Sequence, residues 1–243
     1  MGDEADIRDV FAGYCVELPP LSAHHTPGGA PVWSYPVDGA EAFVQWRRLR
    51  AIFELTGWWP YVDEDGWRPR LGEPESEVLA RGRAMDGAVL LAGRYSTHWG
   101  QVAGLRLDDT TYDERQVPET LTEMLDDPPF SGTCRIGLVE TSHGWEVPAR
   151  VGWGGRGRRA PDPAGNTAVL RYWQERWGAE VLALGDATLE LLVARPPRDR
   201  DEAVAVAREL IAYCPDLLLP PEFTLGFYAA RYARGVSWRF WWD

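Results

Sequence analysis

The chain has 243 residues, of which 45% are hydrophobic and 26% are charged, and its formal net charge is −12. This hydrophobic fraction is ordinary for a folded protein and excludes wholesale disorder, while no apolar run reaches the roughly 18 residues of a membrane-spanning helix. The acidic first residues resemble neither a secretory signal nor a basic transit peptide, so the sequence predicts a cytoplasmic protein without a membrane segment.

The charge is distributed unevenly along the chain. Residues 1–130 carry 11 arginines and 23 acidic residues, whereas residues 131–243 carry 14 of each, and there is no lysine. We therefore divide the chain into an acidic N-terminal α+β region, 1–130, and a C-terminal α+β domain, 131–243. The excess acid makes nucleic acid an unfavourable partner and attracts a basic protein. The alternative is that the acidity only keeps the protein soluble.

Hydrophobic periodicity predicts both strands and helices in the first half. Residues 10–20 form a strand-like run that ends at paired prolines. From Glu41 to Leu55 the apolar residues recur at helical spacing, and Gly57 is a plausible C-terminal stop. The remaining predicted elements are an extended segment after Gly57, a helix near 76–84, a strand near 88–91 and a helix near 119–125.

The second half contains clearer elements. The run 134–140 predicts a strand, and 144–153 predicts a second strand that Pro148 places at an edge or a bulge. Gly185-Asp186 between two apolar runs predicts a hairpin. Helices are predicted at 167–177, after Asp199 or Asp201, and at 222–234. Hairpins without regular βαβ alternation predict an α+β fold, with a mixed, largely antiparallel sheet, packed helices and a C-terminal strand.

The chain ends in the aromatic sequence SWRFWWD. On a strand, alternate side chains point to opposite faces. Trp238, Phe240 and Trp242 then share one apolar face, which we expect to pack in the core. Trp241 lies on the other face, so it is a candidate contact for a partner or a ligand.

A candidate site is predicted where the strand 144–153 meets the following glycine-rich loop. His143 stands at the mouth of that strand, where an imidazole can act as acid or base. On a strand, His143 and Glu146 would point to opposite faces, which disfavours a shared metal. We therefore predict neither a metal nor a cofactor, and no residue is assigned as catalytic. The candidate binding residues are His143, Trp145, Glu146, Trp153, Gly154, Gly155, Arg156 and Trp241.

The glycine-rich loop formally matches the dinucleotide-binding pattern G-x-G-x-x-G at 152–157. That pattern requires a helix to start at once after the glycines, and here a loop with two prolines intervenes. A looser anion-binding loop around Arg156 stays open, as does a merely exposed basic loop. The three cysteines are far apart and in no metal-ligand spacing, so all three are expected to be reduced core residues.

Several segments of the second half resemble a known family. They are TSHGWEVPARVGWGG, LRYWQERWGAEVLAL, DATLELLVARPP, RDEAVAVARELIAYCPD and the terminal FWWD. These segments resemble the actinobacterial domain of unknown function numbered 4253, continuously from about Gly132 to Asp243, and AIFELTGWWPYV resembles it in the first half. The resemblance implies a compact bacterial cytoplasmic protein. It implies no established activity, cofactor or catalytic residue.

The sequence favours an interaction protein over an enzyme. Acidic charge, abundant aromatic residues and the lack of a catalytic signature fit a protein–protein interaction module, for example an immunity-type protein that neutralises a basic toxin. The alternative is a small-molecule binding protein or an enzyme, with its site at the corner 143–156. Direct nucleic-acid binding through the loop arginines opposes the net charge of −12 and is least favoured. The oligomeric state is left open.

Overall fold

The protein is described by a computed structural model. It describes residues 4–26, 29–66, 73–102, 112, 116, 118–127, 129–155, 159–218 and 224–243, the side chains of 97–102 excepted. The strands are β1 Ser22–His25, β2 Pro31–Asp38, β3 Trp58–Asp63, β4 Thr133–Glu140, β5 Ala179–Leu184, β6 Thr188–Val193 and β7 Ser237–Trp241. The helices are α1 Glu4–Ala12, α2 Gly39–Arg50, α3 Phe53–Thr56, α4 Glu75–Ala84, α5 Gly87–Val102, α6 Leu121–Asp126, α7 Val147–Val151, α8 Pro163–Trp177, α9 Arg200–Tyr213 and α10 Leu225–Phe227.

The seven strands form one mixed sheet in the order β1-β2-β4-β3-β5-β6-β7. Every neighbouring pair is antiparallel except β3 and β5, which are parallel. The predicted α+β fold, its largely antiparallel sheet and its C-terminal strand are therefore confirmed. Because β4 lies between β2 and β3, both predicted regions contribute strands to the same sheet. The division of the chain into a region 1–130 and a domain 131–243 stays a prediction.

Helices cover the two faces of the sheet differently. On one face, Trp173 of α8 stacks on Phe240 of β7 at 5.6 Å between ring centroids. We call this the α8 face. Leu184 pairs both with Leu189, the partner of Phe240, and with Asp63, so Asp63 and its partner Arg135 lie on the α8 face too.

The opposite face, which we call the α2 face, is covered by α2. Its Trp46 is buried and donates a hydrogen bond from Nε1 to the carbonyl of Pro60 at 2.9 Å. The predicted helix 41–55 is therefore present, although it is divided into α2 and α3. Asp38 caps α2 by accepting a hydrogen bond from the amide of Ala40, and Gly57 ends α3 in the left-handed conformation.

The C-terminal strand packs as its alternation predicts. Trp238, Phe240 and Trp242 expose 1%, 1% and 2% of their surface. Their rings contact Trp173 and Tyr213 in stacked or edge-to-face arrangements. The last strand thus contributes three aromatic rings to the core between the sheet and helices α8 and α9.

Two predictions for the first half are wrong. Residues 10–20 do not form a strand, because Ile7 and Phe11 are buried on one face of helix α1 and define a helical period. Residues 88–91 belong to helix α5, which starts where Asp86 accepts hydrogen bonds from the amides of Ala88 and Val89. In both places a short apolar run was mistaken for a strand.

The predicted strand 144–153 is wrong as well. The chain instead forms a 3-10 turn, Gly144–Glu146, and helix α7. Pro148 stands in the first turn of α7, where a missing amide hydrogen costs nothing, and Gly152 closes the helix in the left-handed conformation. The predicted helix 222–234 is α10 followed by a π-helix, Tyr228–Ala233, and residues 222–223 lie outside the described residues.

The cysteine prediction holds for two of three residues. All three are free thiols, and Cys134 and Cys214 are buried, whereas Cys15 is exposed. Within the described part of the chain, no helix is long and apolar enough to cross a membrane.

Candidate functional site

The structure places the first predicted site residues at the end of β4. His143 is exposed and stacks on Trp145, with ring centroids 5.3 Å apart. The guanidinium of Arg83 lies over the same Trp145 ring at 5.6 Å. Together with Arg171 they line an open depression of about 630 Å³. This depression is the part of the predicted corner that faces solvent.

Glu146 does not belong to that depression, because it is fully buried. Its carboxylate accepts hydrogen bonds from Thr141 at 2.8 Å, from Arg150 at 3.1 Å and from Arg83. Burial alone would raise the pKa of Glu146, but these hydrogen bonds and the charge of Arg150 outweigh it and hold the pKa below its usual value. Glu146 therefore ties α4, α7 and the end of β4 together.

The other predicted site residues lie beyond α7. Trp153 is buried, donates from Nε1 to the carbonyl of Gly185 at 2.7 Å and packs on Trp242. Gly154 and Gly155 are half-buried next to it, and Arg156 lies outside the described residues. The described lining of the depression contains none of 153–155. Helix α7, which the sequence did not predict, separates the two groups.

Trp241 is half-buried on the α2 face of β7. Its carbonyl accepts a hydrogen bond from the thiol of Cys214 at 2.9 Å, and burial, the largest influence, raises the pKa of that thiol to about 12. Trp241 is not among the described residues that line the depression at His143. Its hydrogen bond to Cys214 joins it to the C-terminal end of α9 instead.

A different cleft lies on the α8 face, above strands β1, β2, β4 and β3. We call it the sheet cleft. Its volume is about 540 Å³, which falls in the range of small-molecule sites. Its described lining consists of Ser22, His24, His25, Thr26, Val32, Tyr61, Asp63, Gly66, Arg135 and Val151.

Ser34 organises the polar side of the sheet cleft. Its buried hydroxyl accepts hydrogen bonds from Arg135 Nε at 3.2 Å and from Arg135 Nη2 at 2.8 Å. His24 Nε2 lies 3.0 Å from the same hydroxyl. A guanidinium only donates hydrogen bonds, so the hydroxyl oxygen is the acceptor in both contacts with Arg135. One serine thus holds two side chains from the neighbouring strands β1 and β4.

Tyr61 reaches the same region from β3. It stands directly opposite Gly137 on the α8 face, and a Cβ at Gly137 would fall 2.3 Å from the Tyr61 ring. The missing side chain therefore lets the ring lie across β4. Tyr61 exposes only 5% of its surface, and its hydroxyl makes no hydrogen bond to any described residue. Burial and the charge of Asp63 raise the pKa of Tyr61, against the opposing charge of Arg135, so its hydroxyl stays protonated.

Replacing Gly137 with alanine is expected to disturb this arrangement. The added methyl group would overlap the Tyr61 ring, so the ring must move into the sheet cleft. We expect a loss of about 1–3 kcal/mol in the free energy of unfolding, the usual cost of overpacking, measured by urea denaturation. The double variant Gly137→Ala, Tyr61→Leu should recover part of that loss. No recovery would contradict the contact.

The electrostatics of the sheet cleft are mixed. Arg135 and two histidines line the side of β1 and β4. Asp63 lies opposite Arg135 on β3, and its Oδ1 accepts a hydrogen bond from the amide of Gly66 at 2.8 Å. Among the described residues, no group of three His, Cys, Asp or Glu side chains is arranged to hold a metal ion.

Sequence reasoning missed the sheet cleft because its members are far apart in the chain. His24 and Ser34 come from a hairpin, Tyr61 follows a helix, and Arg135 lies in β4 more than 70 residues later. Only the strand order brings them together. The available signal was a polar residue inside each apolar strand, namely Ser34 in β2 and Arg135 in β4, since such residues require buried partners.

Comparison with known proteins yields one similarity. Residues 135–243 match the family model described as Domain of unknown function (DUF4253). No curated protein and no solved structure matches the chain. The matched part begins at Arg135 and includes β4 to β7, whereas the first-half resemblance stays a prediction. Over its second half the chain is therefore similar to a family to which no activity is assigned.

Proposed function

We propose that the protein binds a small polar molecule in the sheet cleft. The observation that carries this proposal is the convergence of His24, Arg135 and Tyr61, from three different strands, on one cleft of about 540 Å³. Small-molecule sites combine such a volume with a few convergent polar groups. This moves the small-molecule alternative from the corner 143–156 to the sheet.

The side chains of the sheet cleft support ligand binding without catalysis. The Ser34 hydroxyl is hydrogen-bonded to Arg135 and His24 and is buried, so it is poorly placed to attack a substrate. The Tyr61 hydroxyl keeps its proton, because burial raises its pKa, and it serves as a hydrogen-bond donor rather than a base. We therefore propose a binding protein rather than an enzyme.

Filling the cleft is the direct test. Ser22 and Ala23 are neighbours on β1 and both are exposed, but only Ser22 lines the cleft, because successive strand residues point to opposite faces. Ser22→Trp is expected to block the cleft and Ala23→Trp to leave it open. Both variants should fold. Melting temperatures are measured with nucleotides, sugar phosphates, amino acids and dicarboxylates.

The expected result is a compound that raises the melting temperature of the wild type and of Ala23→Trp but not of Ser22→Trp. Two results would count against the proposal. Either no compound of the panel stabilises the wild type, or the stabilising compound acts equally on Ser22→Trp.

A basic protein partner is the second candidate function. Four of the large apolar side chains that are exposed, Val10, Tyr14, Val44 and Leu55, lie on α1 to α3 or directly beside them. They belong to the acidic region 1–130, where a basic surface would be attracted. In its sharp form, the partner is a basic toxin and the protein is its immunity protein. Affinity capture with wild type and Val44→Asp, Leu55→Asp tests it, and equal recovery by both would contradict this surface.

A further inference from the structure

We propose that the ligand of the sheet cleft carries an oxyanion group, a carboxylate or a phosphate, that Arg135 binds while Ser34 positions Arg135. This inference rests on the proposed function, because it names the chemical class of the ligand of the same cleft. Three observations on Arg135, Ser34 and Tyr61 support it, and the charge of Asp63 opposes a bare anion.

The orientation of the guanidinium is fixed from one side. Nε and Nη2 of Arg135 donate to the hydroxyl of Ser34, and Nη2 also contacts the carbonyl of Ser34 at 3.3 Å. These contacts hold one edge of the planar group against β2. Nη1 makes no hydrogen bond to a described residue. The Nη1 end of a guanidinium held in this way is prepared to donate to a planar or tetrahedral oxyanion.

Arg135 also lacks an internal counter-charge. Within the described ranges, no carboxylate lies within ion-pair distance of its guanidinium, although Asp63 is its cross-strand neighbour. Three other partly buried arginines are neutralised inside the protein. Arg50 pairs with Glu180, Arg150 with Glu75 and Glu146, and Arg239 with Glu64 and Glu190. A half-buried guanidinium that faces a cleft and makes no ion pair with a described carboxylate favours an anion from solution.

The Tyr61 hydroxyl is a further donor beside Arg135. The hydroxyl of Tyr61 is protonated and has no described partner, and the ring lies across β4 toward the strand that carries Ser34. His25 and Thr26 line the rim on the β1 side. An oxyanion has several lone pairs, so it can accept hydrogen bonds from Arg135 and Tyr61 at once. Both donors are fixed by packing, which reduces the entropy lost on binding.

Asp63 limits the charge that the ligand brings. Its carboxylate lies on the same face as Arg135 and lines the same cleft. The negative charge of this carboxylate opposes the approach of a bare anion. Asp63→Asn keeps an acceptor for the Gly66 amide and removes the charge, so it is expected to strengthen the binding of a simple oxyanion.

The test uses inorganic phosphate and acetate as separate probes, titrated by ³¹P NMR and by ¹H saturation-transfer NMR. The variants are Arg135→Gln, Ser34→Ala and Asp63→Asn, each with its melting temperature recorded. Arg47→Gln is the control, since Arg47 is exposed on α2 and makes no ion pair with a described residue. The wild type is expected to bind at least one probe, and the stronger probe identifies a phosphate or a carboxylate ligand.

For the bound probe we expect Arg135→Gln to weaken the affinity about tenfold or more, as the loss of a charge-assisted hydrogen bond does. Ser34→Ala should weaken it less, and Arg135→Lys should not restore it, because an ammonium cannot contact Ser34 and the anion in the same geometry. Asp63→Asn should strengthen it, and Arg47→Gln should leave it unchanged.

The inference is overturned if neither probe binds, or if Arg135→Gln binds as the wild type does. A neutral compound that stabilises the wild type but not Ser22→Trp, together with no binding of phosphate or acetate, would leave the proposed function standing and refute the oxyanion alone. Equal weakening by Arg135→Gln and Arg47→Gln would show binding by net charge, which also refutes it.

Discussion

Deletion of Trp238–Asp243 is expected to leave a chain that does not fold cooperatively. The deletion removes four of the five residues of β7, which pairs with β6, and three almost fully buried rings. Each ring contributes roughly 2–3 kcal/mol of burial. Their sum approaches the 5–15 kcal/mol that stabilises a typical domain, and the loss also uncovers Trp173 and Tyr213.

Circular dichroism and urea denaturation measure this loss. Trp241→Ala is the matched control, because Trp241 lies on the same strand but is only half-buried on the opposite face. The control should retain a cooperative transition with a modest decrease in stability. A truncated chain that still unfolds cooperatively would show that the core does not require β7 to fold.

Replacement of Glu146 with alanine has the second largest expected effect. The carboxylate is fully buried and joins α4, α7 and the end of β4 through Arg83, Arg150 and Thr141. Removing one member of a buried pair costs about 3–5 kcal/mol. Here both arginines remain partly exposed and regain some water, so we expect about 2–3 kcal/mol.

The control for this variant is Glu175→Ala. Glu175 also faces an arginine, Arg171, but 73% of its side chain is exposed. An exposed pair of this kind is worth about 0.5 kcal/mol or less, and the control variant should lose no more than that in urea denaturation. Equal losses for the two variants would contradict the bridging role of Glu146.

The role of Glu146 also has a pH signature. The pKa of Glu146 is lowered in the folded protein, so its ionised form stabilises the fold at pH values above the unfolded pKa. That stabilisation is lost as the pH falls through the folded pKa. The stability difference between wild type and Glu146→Ala should therefore be largest at neutral pH and shrink in acid. A difference that grows on acidification would contradict this assignment.

In the elements that the sequence predicted correctly, the apolar residues recur at regular spacing within a single continuous segment. The helix of 41–55, the strand 134–140, the hairpin at Gly185-Asp186 and the terminal strand all show a regular apolar face next to a clear stop. The strand predictions that rested on short apolar runs without such spacing were wrong. Pro148 is typical of an edge strand, but it is equally suited to the first turn of a helix.

The candidate site depends on strand order, which local periodicity does not encode. A strand over 144–153 predicts that His143 and Trp153 belong to one site. In the structure, helix α7 separates the two residues. Conversely, Ser34 and Arg135 are far apart in the chain and become neighbours only because β4 pairs with β2. Polar residues inside apolar strands marked these positions, but nothing in the sequence said which of them would meet.

A crystal structure of the protein soaked in arsenate tests the central claim most directly. Arsenate has the shape and charge of phosphate, and its anomalous scattering locates it without ambiguity. We expect an anomalous peak in the sheet cleft, with arsenate oxygens within hydrogen-bond distance of Arg135 Nη1 and the Tyr61 hydroxyl, and no such peak in the Arg135→Gln variant. An unchanged peak in the variant, or a wild-type cleft without arsenate although the protein binds phosphate in solution, would contradict the claim that Arg135 binds the ligand.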